Sequence, residues 1–168
     1  MPIYIQQLTP TKEGVCDSVR APGHWPRDLP RDATLAQCTS HFVSKLEHFE
    51  LSPAEQPPYQ LAATGFSSFA VGIGIRLSMR SGEEEARLRK LRDRLAETLQ
   101  IKHSQHKYYE LHLSMAYFLR YLDKEQKAQM NALLKSHFET MPKLFELGAP
   151  EFCTFEDMFK FDRMFYLK

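Results

Sequence analysis

The spacing of apolar side chains predicts three amphipathic helices. Between residues 35 and 49 they recur every three or four positions, after a capping-box sequence that begins at Thr34. A leucine stripe follows Ser81, behind glutamates that favour the positive end of a helix dipole. A third stretch follows a second capping-box sequence at Asp123 and stops at Pro142.

Alternation of large apolar residues with small or polar ones predicts the strands. In residues 69–79 every second side chain is large and apolar, and most of those between are small, including Gly72 and Gly74. Small residues on a strand face indicate that another backbone or a ligand comes close. Shorter strands are predicted at residues 59–64 and 144–147, and the aromatic-rich C-terminus favours one or two more.

The order of these elements predicts an α+β fold. From residue 59 onward it is strand, strand, helix, strand, helix, strand, strand, which is typical of helices covering one side of a mostly antiparallel sheet. The 168 residues have the length of a single domain. Within it, residues 1–58 hold a long loop and the first helix, and residues 59–168 hold the strands and the other helices.

The strand after the second helix, in the stretch YYELHLSMAYFL, carries a histidine and a serine two residues apart. With a period of two, His112 and Ser114 share one face with Ala116, and Tyr117 falls on the opposite face. His112 and Ser114 are roughly 7 Å apart along the strand, at about 3.3 Å per residue, so both can touch one phosphate group. Imidazole exchanges protons near neutral pH, and a hydroxyl can hydrogen-bond a phosphoryl oxygen. A purely structural histidine is the alternative.

Composition and charge narrow the class of partner. Hydrophobic residues make up 43% of the chain and charged residues 26%, which is typical of a folded globular protein. Lys and Arg number 22 against 21 Asp and Glu, so no overall charge favours duplex nucleic acid or an anionic membrane. Three widely spaced cysteines, without a signal sequence or a long apolar run, predict a cytoplasmic or nuclear protein that does not span a membrane.

Four separated blocks resemble a known superfamily. L-H-L-S-M-A-Y around His112 is similar to the second signature of the two-histidine phosphoesterases, the group with the 2′,5′-RNA ligase-like proteins and cyclic nucleotide phosphodiesterases. Three more blocks occur in the order expected for a fungal and bacterial branch, namely Glu13–Asp17, His24–Pro30 and Glu151–Phe159. The resemblance covers most of the chain from about residue 13.

That resemblance implies a bilobal fold, with two small antiparallel sheets backed by helices and a cleft between them. Each lobe would contribute one H-x-[ST] motif, with one histidine as general base and the other as general acid. His112 and Ser114 correspond to one such motif. The implied mechanism needs no metal or other cofactor. The implied substrate is a small nucleotide or a short RNA with a cyclic or 2′,5′ phosphodiester.

The first motif of that branch has no counterpart in this chain. Counting back from Glu13 places Leu8 where the histidine belongs and Pro10 where the threonine belongs, and neither side chain can transfer a proton. Loss of one acid/base partner lowers a rate by roughly 10² to 10⁴, so we expect an incomplete first lobe in residues 1–58 and impaired activity. A fragment or misplaced gene start, a non-catalytic nucleotide-binding pseudoenzyme, and substitution by another histidine remain open.

Three further residues are candidates for substrate binding. Arg76 shares its strand face with Gly72 and Gly74 and could hold a phosphate through two hydrogen bonds, although it could also be an ordinary arginine at a strand end. Tyr117 could stack on a base, with core packing as the alternative. His106 stands close to His112 in a lysine-rich sequence and could help to hold an anion, unless it lies in a solvated loop.

Two other features are expected to be structural. His137 falls near the apolar side of the third helix and is expected to be packed. The basic residues from Arg87 to Arg94 alternate with leucines and lie among acidic residues, which predicts a solvated helix face.

Overall fold

The computed structural model describes residues 23–68, 72–157 and 160–168. It contains two single-turn 3-10 segments, Pro53–Glu55 and His106–Tyr108. Its longer elements, in chain order, are α1 (Leu35–Leu46), β1 (Tyr59–Ser68), β2 (Gly72–Met79), α2 (Gly82–Leu99), β3 (His112–Tyr117), α3 (Lys124–Thr140), β4 (Leu144–Leu147), β5 (Glu151–Asp157) and β6 (Lys160–Tyr166).

Capping boxes start two of the helices, as the sequence predicts. The Gln37 N–H donates to the Thr34 hydroxyl at 3.2 Å, and the Thr34 N–H donates to the Gln37 side-chain oxygen at 2.7 Å. Asp123 and the glutamine three residues later make the equivalent bonds before α3, at 2.8 and 3.2 Å. Each bond satisfies a polar group that a helix start leaves unpaired, so local sequence fixes these starts.

The described strands form two sheets. The larger has the order β3-β2-β1-β4, and the smaller consists of β5 and β6. Strand β2 runs antiparallel to both β1 and β3, and β5 runs antiparallel to β6. These sheets with three helices confirm the α+β prediction. The predicted start of the long strand, at residues 69–71, lies outside the described residues.

The chain divides into two compact units built from interleaved segments. The first comprises the described part of Met1–Tyr59, together with Glu85–Lys107 and Leu147–Lys168. The second comprises Gln60–Glu84 and Tyr108–Glu146, and therefore contains β2, β3 and α3.

The first unit has a large apolar core. Phe42 of α1, Phe152 of β5 and the four leucines of the α2 stripe are each at most 8% exposed. The rings of Phe42 and Phe152 pack edge to face with their centroids 6.4 Å apart, which joins α1 to the smaller sheet. The leucine stripe predicted from the sequence therefore faces a core.

Two arginines of the basic face of α2, which the sequence pattern predicts to be solvated, are partly exposed and also bind groups of the first unit. Arg94 forms an ion pair with Glu55, whose side chain is fully buried. Arg87 donates to the Pro58 carbonyl at 2.7 Å and lies over the Tyr59 ring, 4.8 Å from its centroid. A guanidinium carries five N–H donors on a long stem, so it reaches carbonyl groups that the sequence pattern cannot identify.

The Glu55 carboxylate is held in its ionised form. Burial alone would raise the pKa of Glu55, but hydrogen bonding from Ser52 and the charge of Arg94 outweigh it, so the pKa lies below its ordinary value. The Ser52 N–H donates to a Glu55 oxygen at 3.0 Å. This cluster fixes the turn between α1 and β1.

The second unit buries much less apolar surface. Its buried apolar side chains, among the described residues, are Leu61, Ala63 and Ile75. Helix α3 has no buried residue. It meets the larger sheet through the rings of Phe66 and Phe138, whose centroids are 6.1 Å apart. The sheet of this unit is therefore supported by a thin layer of contacts.

The prediction that His137 is packed is wrong, because its side chain is exposed. The half-buried positions of α3 recur every four residues at Met130, Leu134 and Phe138, and His137 falls beside that row. A small rotation of α3 about its axis is therefore enough to decide whether His137 is packed or exposed.

None of the helices in residues 23–68, 72–157 and 160–168 combines the length and apolarity that a membrane crossing requires. In the same ranges, no group of three or more His, Cys, Asp or Glu side chains is arranged to hold a metal ion.

Candidate functional site

His112 and Arg76 face each other across two neighbouring strands. They are direct partners in the antiparallel register of β3 and β2. At the adjoining position the Leu77 N–H donates to the Leu111 carbonyl at 2.9 Å. Because hydrogen-bonded and non-hydrogen-bonded pairs alternate, Arg76 and His112 form a pair of the closer kind, with Cα atoms roughly 4.5 Å apart. The predicted acid/base group and the predicted phosphate clamp are therefore neighbours.

Ser114 lies on the same face as His112 and Arg76. Its partner on β2 is Gly74, two residues from Arg76, so the two pairs follow each other on one side of the sheet. Both His112 and Ser114 are exposed. The predicted common face of His112 and Ser114 agrees with this register.

A bulge in β3 changes the position of Tyr117. Gly74 pairs with Ser114 and Ile73 pairs with Ala116, so Met115 is an extra residue without a partner on β2. Beyond the bulge, Tyr117 pairs with Gly72, which lies on the same face of β2 as Gly74. Partners share a face, so Tyr117 stands beside Ser114. Its predicted place on the opposite face is wrong, because strict alternation does not allow for an inserted residue.

A second bulge, in β1, places a glycine beside the Arg76 side chain. Ala63 pairs with Leu77 and Gly65 pairs with Arg76, which leaves Thr64 as the extra residue. A Cβ on Gly65 would lie 3.1 Å from a terminal nitrogen of Arg76, and the backbone φ there is +155°. The guanidinium thus rests over a position that has no side chain, and we infer that this contact helps to hold it on the sheet.

Arg76 is exposed and takes part in no ion pair with another described residue. Among these residues Arg94 and Arg163, by contrast, bind the carboxylates of Glu55 and Glu151. A guanidinium without such a carboxylate keeps its paired N–H donors for a planar or tetrahedral anion. Arg76 pairs in register with His112 and lies on the same face as Ser114, and a guanidinium, an imidazole and a hydroxyl on one face suit a phosphate group.

The imidazole of His112 lies near two groups of its own unit, among others. Its Nδ1 lies 3.4 Å from the Glu110 carbonyl oxygen, and its ring centroid lies 6.1 Å from that of Tyr109. A carbonyl beside Nδ1 favours the tautomer that carries its proton on Nδ1 and leaves Nε2 as the base. That is a usable state for accepting a proton.

The opposite face of the larger sheet carries apolar contacts. Phe66 and Leu113 pair with Ile75 from either side, and this row faces α3 through Phe138. A cavity of about 390 Å³ between β1 and α3 opens on this side. The two faces therefore have different tasks, one packing α3 and the other presenting polar groups.

The structure does not place His106 with these residues. It belongs to the first unit, and its Nε2 lies 2.8 Å from an Asp93 carboxylate oxygen of α2. This contact engages the imidazole within its own unit. The role of His106 in substrate binding stays a prediction.

A different polar cluster in the first unit could not be found from the sequence. The Asp28 carboxylate forms an ion pair with Lys45, and its Oδ1 lies 3.1 Å from Nε2 of His41. Burial acts to raise the pKa of Asp28, but hydrogen bonds from Lys45 and His41 outweigh it and leave the pKa below its ordinary value. His41 lines a cavity of about 630 Å³ between α1 and the preceding loop. The three residues lie 13 and 17 positions apart, and no local pattern links them.

Comparisons with known proteins address the fold and part of the chain. No curated protein matches the sequence significantly. The crystal structure of the conserved protein of unknown function ATU0111 from Agrobacterium tumefaciens matches with a TM-score of 0.75 at 24% sequence identity. The match covers 90% of this chain, which spans 63% of the length of that protein. At this identity the likeness concerns the fold.

A family model described as "2H-phosphodiest: Domain of unknown function (DUF1868)" matches residues 9–71. This range includes two of the blocks that suggested the two-histidine phosphoesterases, Glu13–Asp17 and His24–Pro30, and it ends before His112. The resemblance found in the sequence is thereby confirmed. Over residues 9–71 the chain is similar to this family, whose domain is described as one of unknown function.

Proposed function

We propose that this protein binds a cyclic or 2′,5′ phosphodiester on the exposed face of the larger sheet and hydrolyses it slowly. The observation that carries the proposal is the direct pairing of Arg76 with His112, with Ser114 next along the same face. Proton transfer, charge neutralisation and hydrogen bonding to a phosphoryl group are the three tasks of phosphodiester hydrolysis, and these residues supply one group for each.

In this reaction water adds to phosphorus, and the bond between phosphorus and one ester oxygen breaks. One proton leaves the water, and one proton reaches the departing oxygen. Nε2 of His112 performs one of these two transfers. Arg76 and the Ser114 hydroxyl donate to the other phosphoryl oxygens, whose charge increases as the bond to water forms.

Slow turnover is expected because the positions of the first H-x-[ST] motif carry no acid/base residue. Leu8 and Pro10 stand where the resembled branch has its first histidine and threonine, and both lie outside the described residues. With one positioned imidazole, the second proton transfer falls to solvent, at a loss of roughly 10² to 10⁴ in rate.

The same observation favours a second candidate, a phosphate-binding protein without turnover. Arg76 and Ser114 can hold a phosphoryl group whether or not the second acid/base residue is present. Affinity would then depend on these two residues, and the histidine would contribute only a hydrogen bond.

Hydrolysis of adenosine 2′,3′-cyclic phosphate by the purified chain separates the two candidates. We expect slow formation of adenosine monophosphate that His112→Ala abolishes and Ser114→Ala reduces about tenfold. His137→Ala is the matched control, because His137 is an exposed histidine of the same unit and lies outside the site.

Binding of the cyclic nucleotide without any product would favour the second candidate. Equal turnover in the wild type and His112→Ala would exclude His112 from the chemistry. Loss of turnover in His137→Ala as well would point to a general effect of removing histidines.

A further inference from the structure

The bulge at Met115 brings an aromatic ring next to the proposed phosphate site. Along β2, Arg76, Gly74 and Gly72 lie on one face and pair in turn with His112, Ser114 and Tyr117. Successive residues on one face of a strand are roughly 7 Å apart. Tyr117 is therefore one such step beyond Ser114 and two beyond His112.

We propose that Tyr117 is the platform on which the base of a nucleoside phosphate stacks while its phosphate lies beside Ser114, one step from the Arg76 and His112 pair. This inference rests on the proposed function and deepens it, since it names the substrate as a nucleotide with its base on the Tyr117 side. The orientation of the ligand along β3 follows from the same register.

The distance between the two parts of the site fits a single nucleoside. A ribose between its phosphate and its base spans about the same length as the roughly 7 Å step between the Ser114 and Tyr117 pairs. A substrate with one ring and one phosphate thus places its base at Tyr117 and its phosphate at Ser114, one step from the Arg76 and His112 pair. Longer RNA would have to leave the sheet beyond the end of β3.

Glycines form the floor between the phosphate and the ring. Gly72 and Gly74 are buried, and neither has a side chain that would lift a sugar from the sheet. A Cβ on Gly72 would collide with the Ala116 carbonyl oxygen, so the backbones of β2 and β3 are too close for another residue here. The bulge and the glycine floor therefore belong to one local arrangement.

Tyr117 has the surface that stacking requires. Its side chain is 49% exposed, whereas Tyr59 in the first unit is fully buried and belongs to a core. An exposed tyrosine on a sheet face offers its ring to any base, and such stacking changes affinity by about 5- to 140-fold per base. Packing in a core, the alternative from the sequence, does not account for this exposure.

Two probes that differ only in the base test the proposal. Titration calorimetry would give the dissociation constants of adenosine 5′-monophosphate and ribose 5-phosphate for the wild type, Tyr117→Ala and Tyr117→Phe. We expect the wild type to prefer the nucleotide, Tyr117→Ala to lose about tenfold for the nucleotide and nothing for the sugar phosphate, and Tyr117→Phe to retain the preference.

Tyr121→Ala is the matched control, because Tyr121 is a tyrosine of the same unit that is 84% exposed and follows the end of β3. Equal affinities for both probes in the wild type, or an equal loss for both in Tyr117→Ala, would overturn this inference and leave the phosphate site standing. Failure of the wild type to bind either probe would overturn both proposals.

Discussion

The two units of this chain use arginine in opposite ways. In the first unit Arg87 and Arg94 bind a carbonyl group and a buried carboxylate, and a large apolar core lies beside them. In the second unit Arg76 is exposed on a sheet with few buried residues, next to His112. The first unit contributes stability, and the second carries the charged groups that we propose bind a ligand.

This contrast reflects a general conflict between stability and binding. A charged group satisfied inside the protein has little left to offer a ligand, and a group kept for a ligand stabilises the fold very little. Four changes can break or sharpen the distinction between the two units.

The largest effect is expected from leucine truncation in the two units. Leu91 of α2 is 2% exposed, so Leu91→Ala should lower the free energy of unfolding by about 3 kcal/mol through lost burial and a residual cavity. Leu133 of α3 is 63% exposed, and Leu133→Ala should change the free energy of unfolding by less than about 0.5 kcal/mol. Urea denaturation gives both values. Similar losses in the two variants would show that α3 buries Leu133 in solution.

The next effect concerns the buried carboxylate. Arg94→Ala leaves Glu55 without its cation, which should cost about 2 kcal/mol, less than for a fully buried pair because Arg94 is 36% exposed. Arg89→Ala breaks a pair with Glu85 in which both side chains are more than 40% exposed, and should cost under about 1 kcal/mol. Denaturation midpoints measure the difference. An equal cost would mean that Glu55 is solvated.

A smaller effect should appear in acid. The pKa of Glu55 is lowered on folding from an ordinary value of 4.5, so its contribution to stability is fully present above 4.5 and is lost as the pH falls through the lower, folded pKa. The free energy of unfolding, measured from pH 6 downward, should therefore fall less steeply in Glu55→Gln than in the wild type. Glu85→Gln, at an exposed position, should keep the wild-type slope.

The smallest effect is expected at Gly65. Gly65→Ala puts a methyl group 3.1 Å from the Arg76 guanidinium at a backbone φ of +155°, so both the guanidinium and the strained β1 bulge must shift, and affinity for ribose 5-phosphate should fall about twofold. In Gly82→Ala the added Cβ meets nothing within 4 Å, and the affinity should not change. A larger loss in Gly82→Ala would indicate that the effect is not local to Arg76.

Local patterns in the sequence were sufficient for much of the fold. The capping boxes at Thr34 and Asp123 involve residues three positions apart, so the chain specifies them without tertiary information. The bounds of β4 and the leucine stripe of α2 follow from periodicity in the same way. Prediction succeeded where the residues that determine an element lie within one helical turn or one strand of it.

The site needed information that periodicity does not carry. His112 and Ser114 were found from spacing and resemblance, whereas the pairing of His112 with Arg76 depends on a register between strands separated by a helix. The place of Tyr117 depends on a bulge, which alternation assumes to be absent. The exposure of His137 has a similar cause, since a small rotation of α3 places Phe138 rather than His137 in the row that meets the sheet.

The extra residue in β3 also has a genetic consequence. Removing the codon for Met115 would remove the bulge, and the existing pairs of Ala116 with Ile73 and of Tyr117 with Gly72 would then follow Ser114 in a regular ladder on the same faces. Met115 is 56% exposed and β3 lies at the end of the described sheet, so little packing opposes such a change. A relative that lacks this one residue can therefore keep the tyrosine beside the serine. An alignment of this region without a gap would pair Tyr117 with the wrong residue of such a relative.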